Sequence, residues 1–203
     1  MRVRLRFSKS ETLRFIGHLD FLRVFQQTIR RAELPAAFSQ GFNPHLQISF
    51  ALPLPLGMES VNDYADLTLE KEIPLNEITE KLNAAAPNGL TIKNAYPAEN
   101  KAASVVCAAD YSLQAASNKL EEVLQAREIF VAKKTKKGIR NTDIRPDILS
   151  IESCGDFILI RLSAGSARFL NPQTVSELLL DEKKTITRLE LFQQNENGEL
   201  VTL

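Results

Sequence analysis

The apolar period of this chain switches between two and 3.6 in a fixed order, and that order restricts the fold more than any other feature. Val3, Leu5 and Phe7 alternate with Arg2, Arg4 and Arg6, the pattern of a strand with one buried face. Leu19, Leu22, Phe25 and Ile29 then recur at helical spacing, with Arg23, Gln27, Arg30 and Arg31 largely off the stripe, which predicts a helix from about His18 to Glu33. Gly17 breaks the chain before it and Pro35 follows its end. "LQISFAL" and "VNDYADLTLE" read as strands, "PLNEITEKLNAAAP" as a helix with Pro74 near its first turn and Pro87 beyond its end, and "LTIKNAYP" as a strand. Strand, helix, strand, strand, helix, strand is the split βαβ, or ferredoxin-like, arrangement.

The order then recurs. Beyond the polar link "AENKAAS", "YSLQAA" reads as a strand, "NKLEEVLQA" as a helix, "EIFVAKK", "ILSIES" and "DFILIRLS" as strands, "PQTVSELLL" as a helix and "TITRLELFQ" as a strand, one strand more than the first round has. The expectation is an α+β protein of two tandem ferredoxin-like units with antiparallel sheets, residues 1–100 and 101–203, the second elaborated. No residue-level repeat accompanies the pattern. A length of 203 residues suits two units of about 100 each, and 44% hydrophobic with 25% charged residues is the balance of a folded chain rather than a disordered one. No apolar run approaches the roughly 20 residues of a membrane span, and "MRVRLRFSKS" alternates as a strand does rather than as a signal peptide. Two cysteines, Cys107 and Cys154, make neither a disulfide framework nor a ligand cluster, which points to a reducing, cytoplasmic setting, with a single bridge between them left open.

The formal net charge is zero, but the charges are segregated. Residues 1–50 hold eight Lys and Arg against three acids, residues 51–100 three lysines against eight acids, and "KKTKKGIRNTDIRPD" six cations against two acids. Two basic blocks on either side of an acidic one suggest a local contact with an anion.

Four constellations follow from this. Arg2, Arg4 and Arg6 project from the sheet face away from the helices, about 7 Å apart and near the spacing of successive phosphates; the other reading pairs them with carboxylates such as Asp66. "GHLD" places His18 and Asp20 in the first helical turn, either as an anion contact or acid/base pair or as a helix cap. "SQGFNPH" presents Ser39, Gln40, Gly41, Asn43 and Pro44 in a stiffened loop, either to a ligand or as a turn with Phe42 plugging the core; with "LPLPLG" it fits no nucleotide-binding fingerprint. Lys136 and Lys137 lie in a basic loop, and Arg145 is placed to act as a bidentate anion clamp. The chain has no cysteine motif for an iron-sulfur cluster, no His-Glu-x-x-His and no nucleophile elbow, so no metal site is expected.

The stretch "RVRLRFSKSETLRFIGHLDFLRVFQQTIRRAELPAAFSQGFNPHLQISFALPLPLGMES", with the later "KKTKKGIRNTDIRP" and "ARFLNPQTVSELL", resembles the DUF2344 family of radical SAM-linked proteins over almost the whole chain. Members occur next to, or fused with, a cobalamin-binding radical SAM protein. The resemblance therefore implies a partner: the chain, binding no cofactor itself, would serve a cobalamin-binding radical SAM enzyme as an accessory or substrate-recognition protein. The basic residues Arg4, Arg6, Arg14, Arg30, Arg31, Lys136, Lys137 and Arg145 would then hold RNA, tRNA or rRNA, and the loop Ser39 to Pro44 would position it. Two alternatives stand beside this reading. One is a protein-docking module without RNA. The other, from a fold-level similarity to the RAMP proteins that process CRISPR repeats, is a metal-free ribonuclease using His18.

Overall fold

The computed structural model describes residues 1–117, 119–135, 138–180 and 184–203. The first half runs β1 (Arg2–Lys9), a 3₁₀ turn (Glu11–Phe15), α1 (His18–Arg31), β2 (Ile48–Phe50), β3 (Glu59–Thr68), α2 (Leu75–Ala85) and β4 (Leu90–Pro97). Its strands lie antiparallel in the order β4-β1-β3-β2. A one-turn helix α3 (Ala102–Val105) leads to β5 (Val106–Leu113), α4 (Leu120–Gln125), β6 (Phe130–Thr135), β7 (Gly138–Asp143), β8 (Ile148–Cys154), β9 (Phe157–Ser163), α5 (Pro172–Leu179), β10 (Ile186–Gln194) and β11 (Leu200–Thr202). Here the antiparallel order is β10-β5-β9-β8. Strands β6 and β7 stand apart as a two-stranded hairpin, which accounts for the surplus strand "EIFVAKK".

The halves share one sheet. Strand β2 has only three residues and covers β3 from Ala65 to Leu67, and β10 pairs in parallel with the other end of β3, at Glu59 and Ser60. The result is an α+β molecule built on a mostly antiparallel, nine-stranded sheet. Among the described residues no helix is long and apolar enough to cross a membrane.

Two apolar clusters pack against the sheet. The first gathers Val3, Leu5 and Phe7 of β1 with Phe21, Phe25 and Ile29 of α1 and Ile78 and Leu82 of α2. The rings of Phe7, Phe21, Phe25 and Phe50 sit 5.1–5.9 Å apart, and each buried ring of this kind contributes on the order of 1.5–3 kcal/mol. The buried stripe of α1 is therefore Phe21, Phe25, Thr28 and Ile29, and Leu19 of the expected stripe is 68% exposed. The reason is the aromatic cluster: seating Phe21 against Phe7 and Phe50 turns Leu19 outward.

The second cluster belongs mostly to the C-terminal half and takes in Tyr64 of β3. Ala51, Leu52, Leu54 and Met58, in and beside the "LPLPLG" segment, also pack into it beside Tyr111, Ile160 and Leu191. This loop is thus a structural plug across the seam between the halves.

Candidate functional site

Two of the three arginines of the row are paired. Arg4 Nε donates to Asp66 Oδ1 at 2.8 Å and its Nη2 to the Asn100 carbonyl, with both charged side chains buried. Arg6 donates to Asn62 and, at 2.9 Å, to Glu190, which also accepts the Tyr64 hydroxyl. Burial, together with that carboxylate, pushes the Tyr64 hydroxyl pKa far up. Arg14 pairs with Glu59 at 2.9 Å. Arg31 donates to the Ala85 carbonyl, tying the end of α1 to α2, and Arg30 is exposed on the same turn. Arg145 spends Nε on the Ala126 carbonyl and Nη1 on Ile148, so its guanidinium braces backbone rather than standing open as a clamp. Lys136 and Lys137 lie outside the described residues.

Two cations on the open sheet face have a different fate. Arg2 and Lys101 line a groove of about 270 Å³ with Gln47, Ile48, Ser49, Asp66 and Thr68. Asp66 is already spoken for, by Arg4 and by the Ala102 amide at 2.6 Å, and among the described residues neither Arg2 nor Lys101 has a side-chain partner. The groove is continuous with the "SQGFNPH" loop, because Gln47 donates its side-chain amide to the Phe38 carbonyl. Ser39 closes that loop: its amide donates to the His45 carbonyl at 2.8 Å, and its Oγ accepts the His45 amide at 2.9 Å. Gly41 sits at φ 130°, a region that favours glycine. Gln40, Asn43 and Pro44 are exposed, and Phe42 at the tip is 101% exposed, so it plugs no core.

A second constellation occupies the seam. Lys9 continues the Val3, Leu5, Phe7 face of β1 and is buried. Asp63 of β3 and Arg188 of β10 are buried beside it and pair through Asp63 Oδ2 and Arg188 Nη2, at 2.5 Å; the same nitrogen donates to the Leu52 carbonyl. Burial pushes the Asp63 carboxyl up, against the charge and hydrogen bonding of Arg188. Burial also pushes the Lys9 ammonium down, with Asp63 opposing and Arg188 assisting. Lys9, Asp63, His18, Phe21, Phe50, Leu52, Pro53 and Leu54 line one narrow pocket. His18 packs edge-on against Phe50, ring centroids 5.5 Å apart, whereas Asp20 pairs outward with Arg23 at 2.7 Å. The two residues of "GHLD" are therefore separated in role, and Gly17 is the uncapped N-cap of α1.

The sequence marks Lys9 and Asp63 in retrospect, as charges on strand positions that alternation assigns to the core. Nothing local marks Arg188 as their partner. Cys107 and Cys154 are both free thiols, which settles their pairing. Among the described residues no three His, Cys, Asp or Glu side chains gather as a metal site.

No curated protein matches the chain. A family described as "Uncharacterized protein conserved in bacteria (DUF2344)" matches residues 2–172, and the chain belongs to the DUF2344 family.

Proposed function

We propose that this protein is a recognition module for a cobalamin-binding radical SAM enzyme and that it holds RNA on the open face of its first half, each half being a ferredoxin-like unit. The observation that carries the reading is the contrast among the cations. Arg4, Arg6 and Arg14 are neutralised by carboxylates, while Arg2 and Lys101 flank a groove without partners among the described residues. A phosphate between them would supply the missing charge. Phe42, with its whole ring in solvent on the loop that borders the groove, offers a stacking surface for an unpaired base. The recurrence of one strand order in both halves supports the ferredoxin-like reading. The radical SAM partner rests on the family resemblance.

The test is fluorescence anisotropy of the full chain with tRNA and rRNA fragments, at low and near-physiological salt. Binding should weaken with salt, and Arg2→Gln and Lys101→Gln should each reduce the salt slope by about one phosphate contact. Phe42→Ala should weaken binding with the slope unchanged. Absence of binding at low salt would leave the docking reading, in which Phe15 and Leu56, on either side of the Gly57–Arg14 backbone contact and both largely exposed, face a partner protein.

A further inference from the structure

The helical layer over the second half of the sheet is short for what lies beneath it. In the first half α1 has 14 residues and α2 has 11, roughly 21 and 16 Å of cover at the helical rise. In the second half α4 has six residues and α5 eight, roughly 9 and 12 Å. The strands of that half are not correspondingly short: β5, β9 and β10 have eight, seven and nine residues, about 23–30 Å each. Ala51, Leu52, Leu54 and Met58, reaching over from the N-terminal half, make up part of the deficit. Another part stays open as a cleft of about 400 Å³ between α4, the Leu178 turn of α5 and the chain entering β6.

The cleft has an apolar floor and an acidic rim. Val123, Ala126, Ile129 and Leu178 line it, and Ile129 and Leu178 are half-buried side chains on the outside of the second apolar cluster. Phe130, the next residue, is 60% exposed. Glu122 and Glu128 stand at the edge, both exposed, and neither has a side-chain partner among the described residues; Lys119 is the cation among the lining residues. A cleft of this volume with an apolar floor and few charges has the make-up of a binding site. One wall is fixed in advance. Asp143 accepts the Ile129 amide at 2.9 Å and the Arg145 amide at 3.0 Å, and Arg145 Nε donates to the Ala126 carbonyl at 3.1 Å, so an occupant meets a surface that needs little ordering. The hairpin that begins at Phe130 pairs with no other described strand, and a two-stranded hairpin by itself is marginal in water, so this corner of the molecule lacks support as well as cover.

We propose that this cleft docks an amphipathic helix of a partner protein, apolar on the face that meets Val123, Ile129 and Leu178 and basic along the edge that meets Glu122 and Glu128. Such a helix completes the layer that α4 and α5 leave short, with apolar residues three and four apart seated between them. The acidic rim selects lysine and arginine on its flanks and repels an acidic helix or a nucleic acid. The cleft shares no residue with the Arg2–Lys101 groove, so the inference goes beyond the RNA reading and stands without it.

The experiment pans a phage-displayed library of random peptides, long enough for about four helical turns, on the full chain, and measures the affinity of the recovered peptides by fluorescence anisotropy. They should carry apolar residues at helical spacing flanked by Lys or Arg. The double variant Glu122→Lys with Glu128→Lys should weaken their binding by about tenfold or more, because it turns two attractive rim contacts into repulsive ones. Both positions are exposed, so this variant should keep the parent's thermal midpoint. Leu178→Ala, which trims the floor, should weaken binding as well, and excess tRNA should displace none of the peptides. Recovery of no such pattern, or of acidic peptides in its place, would overturn the proposal. So would equal affinity for the charge-reversed variant, or displacement by tRNA.

Discussion

Arg188 Nη2 and Asp63 Oδ2 pair inside the protein, 0% and 4% exposed, across 125 positions of sequence. The pair joins the last long strand to the third, and so fastens the two halves at their common sheet. Breaking it leaves a buried charge behind. Arg188→Met alone, or Asp63→Leu alone, should cost about 3–5 kcal/mol, and the double variant Arg188→Met with Asp63→Leu should cost markedly less than the sum. Urea unfolding of the four proteins measures the coupling, and additive losses would show that the two groups do not act as a pair.

Lys9 sets a pH dependence. Its pKa is lower in the folded chain than the ordinary value of 10.5 that it takes when unfolded. Between those two values the unfolded chain binds more protons, so stability contributed by this group increases as pH rises through the window and is smallest below it. Lys9→Met lacks that increment. As pH rises toward 10.5 the thermal midpoint of the parent should therefore gain on that of the variant. A constant difference across that range would place the Lys9 side chain in solvent.

The ion pairs of the open face should differ widely in weight. Arg4 and Asp66 are 6% and 3% exposed at their side chains, and Arg4→Leu should lose about 3 kcal/mol by stranding the carboxylate. Arg23 and Asp20 are 72% and 61% exposed, and Arg23→Gln should lose under about 0.5 kcal/mol. Chemical denaturation separates the two. The comparison also bears on RNA binding: a charge-removal variant at Arg4 tests the fold before it tests a ligand.

Gly165 is held by close approach. At φ 129°, an added Cβ would come within 2.2 Å of the Val106 carbonyl oxygen, whereas at Gly57, φ 85°, it would meet nothing within 4 Å. Gly57→Ala should cost about 1 kcal/mol from backbone strain alone. Gly165→Ala should cost well beyond that, because backbone on β5 must shift. Paired thermal melts read the difference directly.

The legibility of this chain followed the range of each interaction. Strand β1 was readable because Val3, Leu5 and Phe7 alternate within six residues, and α2 because Pro74 and Pro87 bracket it. The face of α1 was misjudged, since Phe21 competes with Leu19 and Leu22 and only the rings of Phe7 and Phe50, on other strands, decide between them. Strand β10 was readable as a strand, but its place beside β3 depends on β2 stopping at Phe50, which no local pattern signals. The same holds for the candidate sites. Arg4 and Arg6 were visible as a row, and the carboxylates that neutralise them sit 62 and 184 positions away.

The placement of β10 governs how such a chain can be made. The ribosome delivers β3 and the "LPLPLG" plug early, and their partners on β10 and in the second apolar cluster arrive last among the long strands. At roughly 5–20 residues per second, a nascent chain would carry the bare end of β3, with Ala51, Leu52, Leu54 and Met58 uncovered, for on the order of ten seconds. Until β10 pairs with β3, the N-terminal half is a template awaiting its complement, and a chain stopped short of Ile186 leaves the ribosome with that edge still open to any strand it meets.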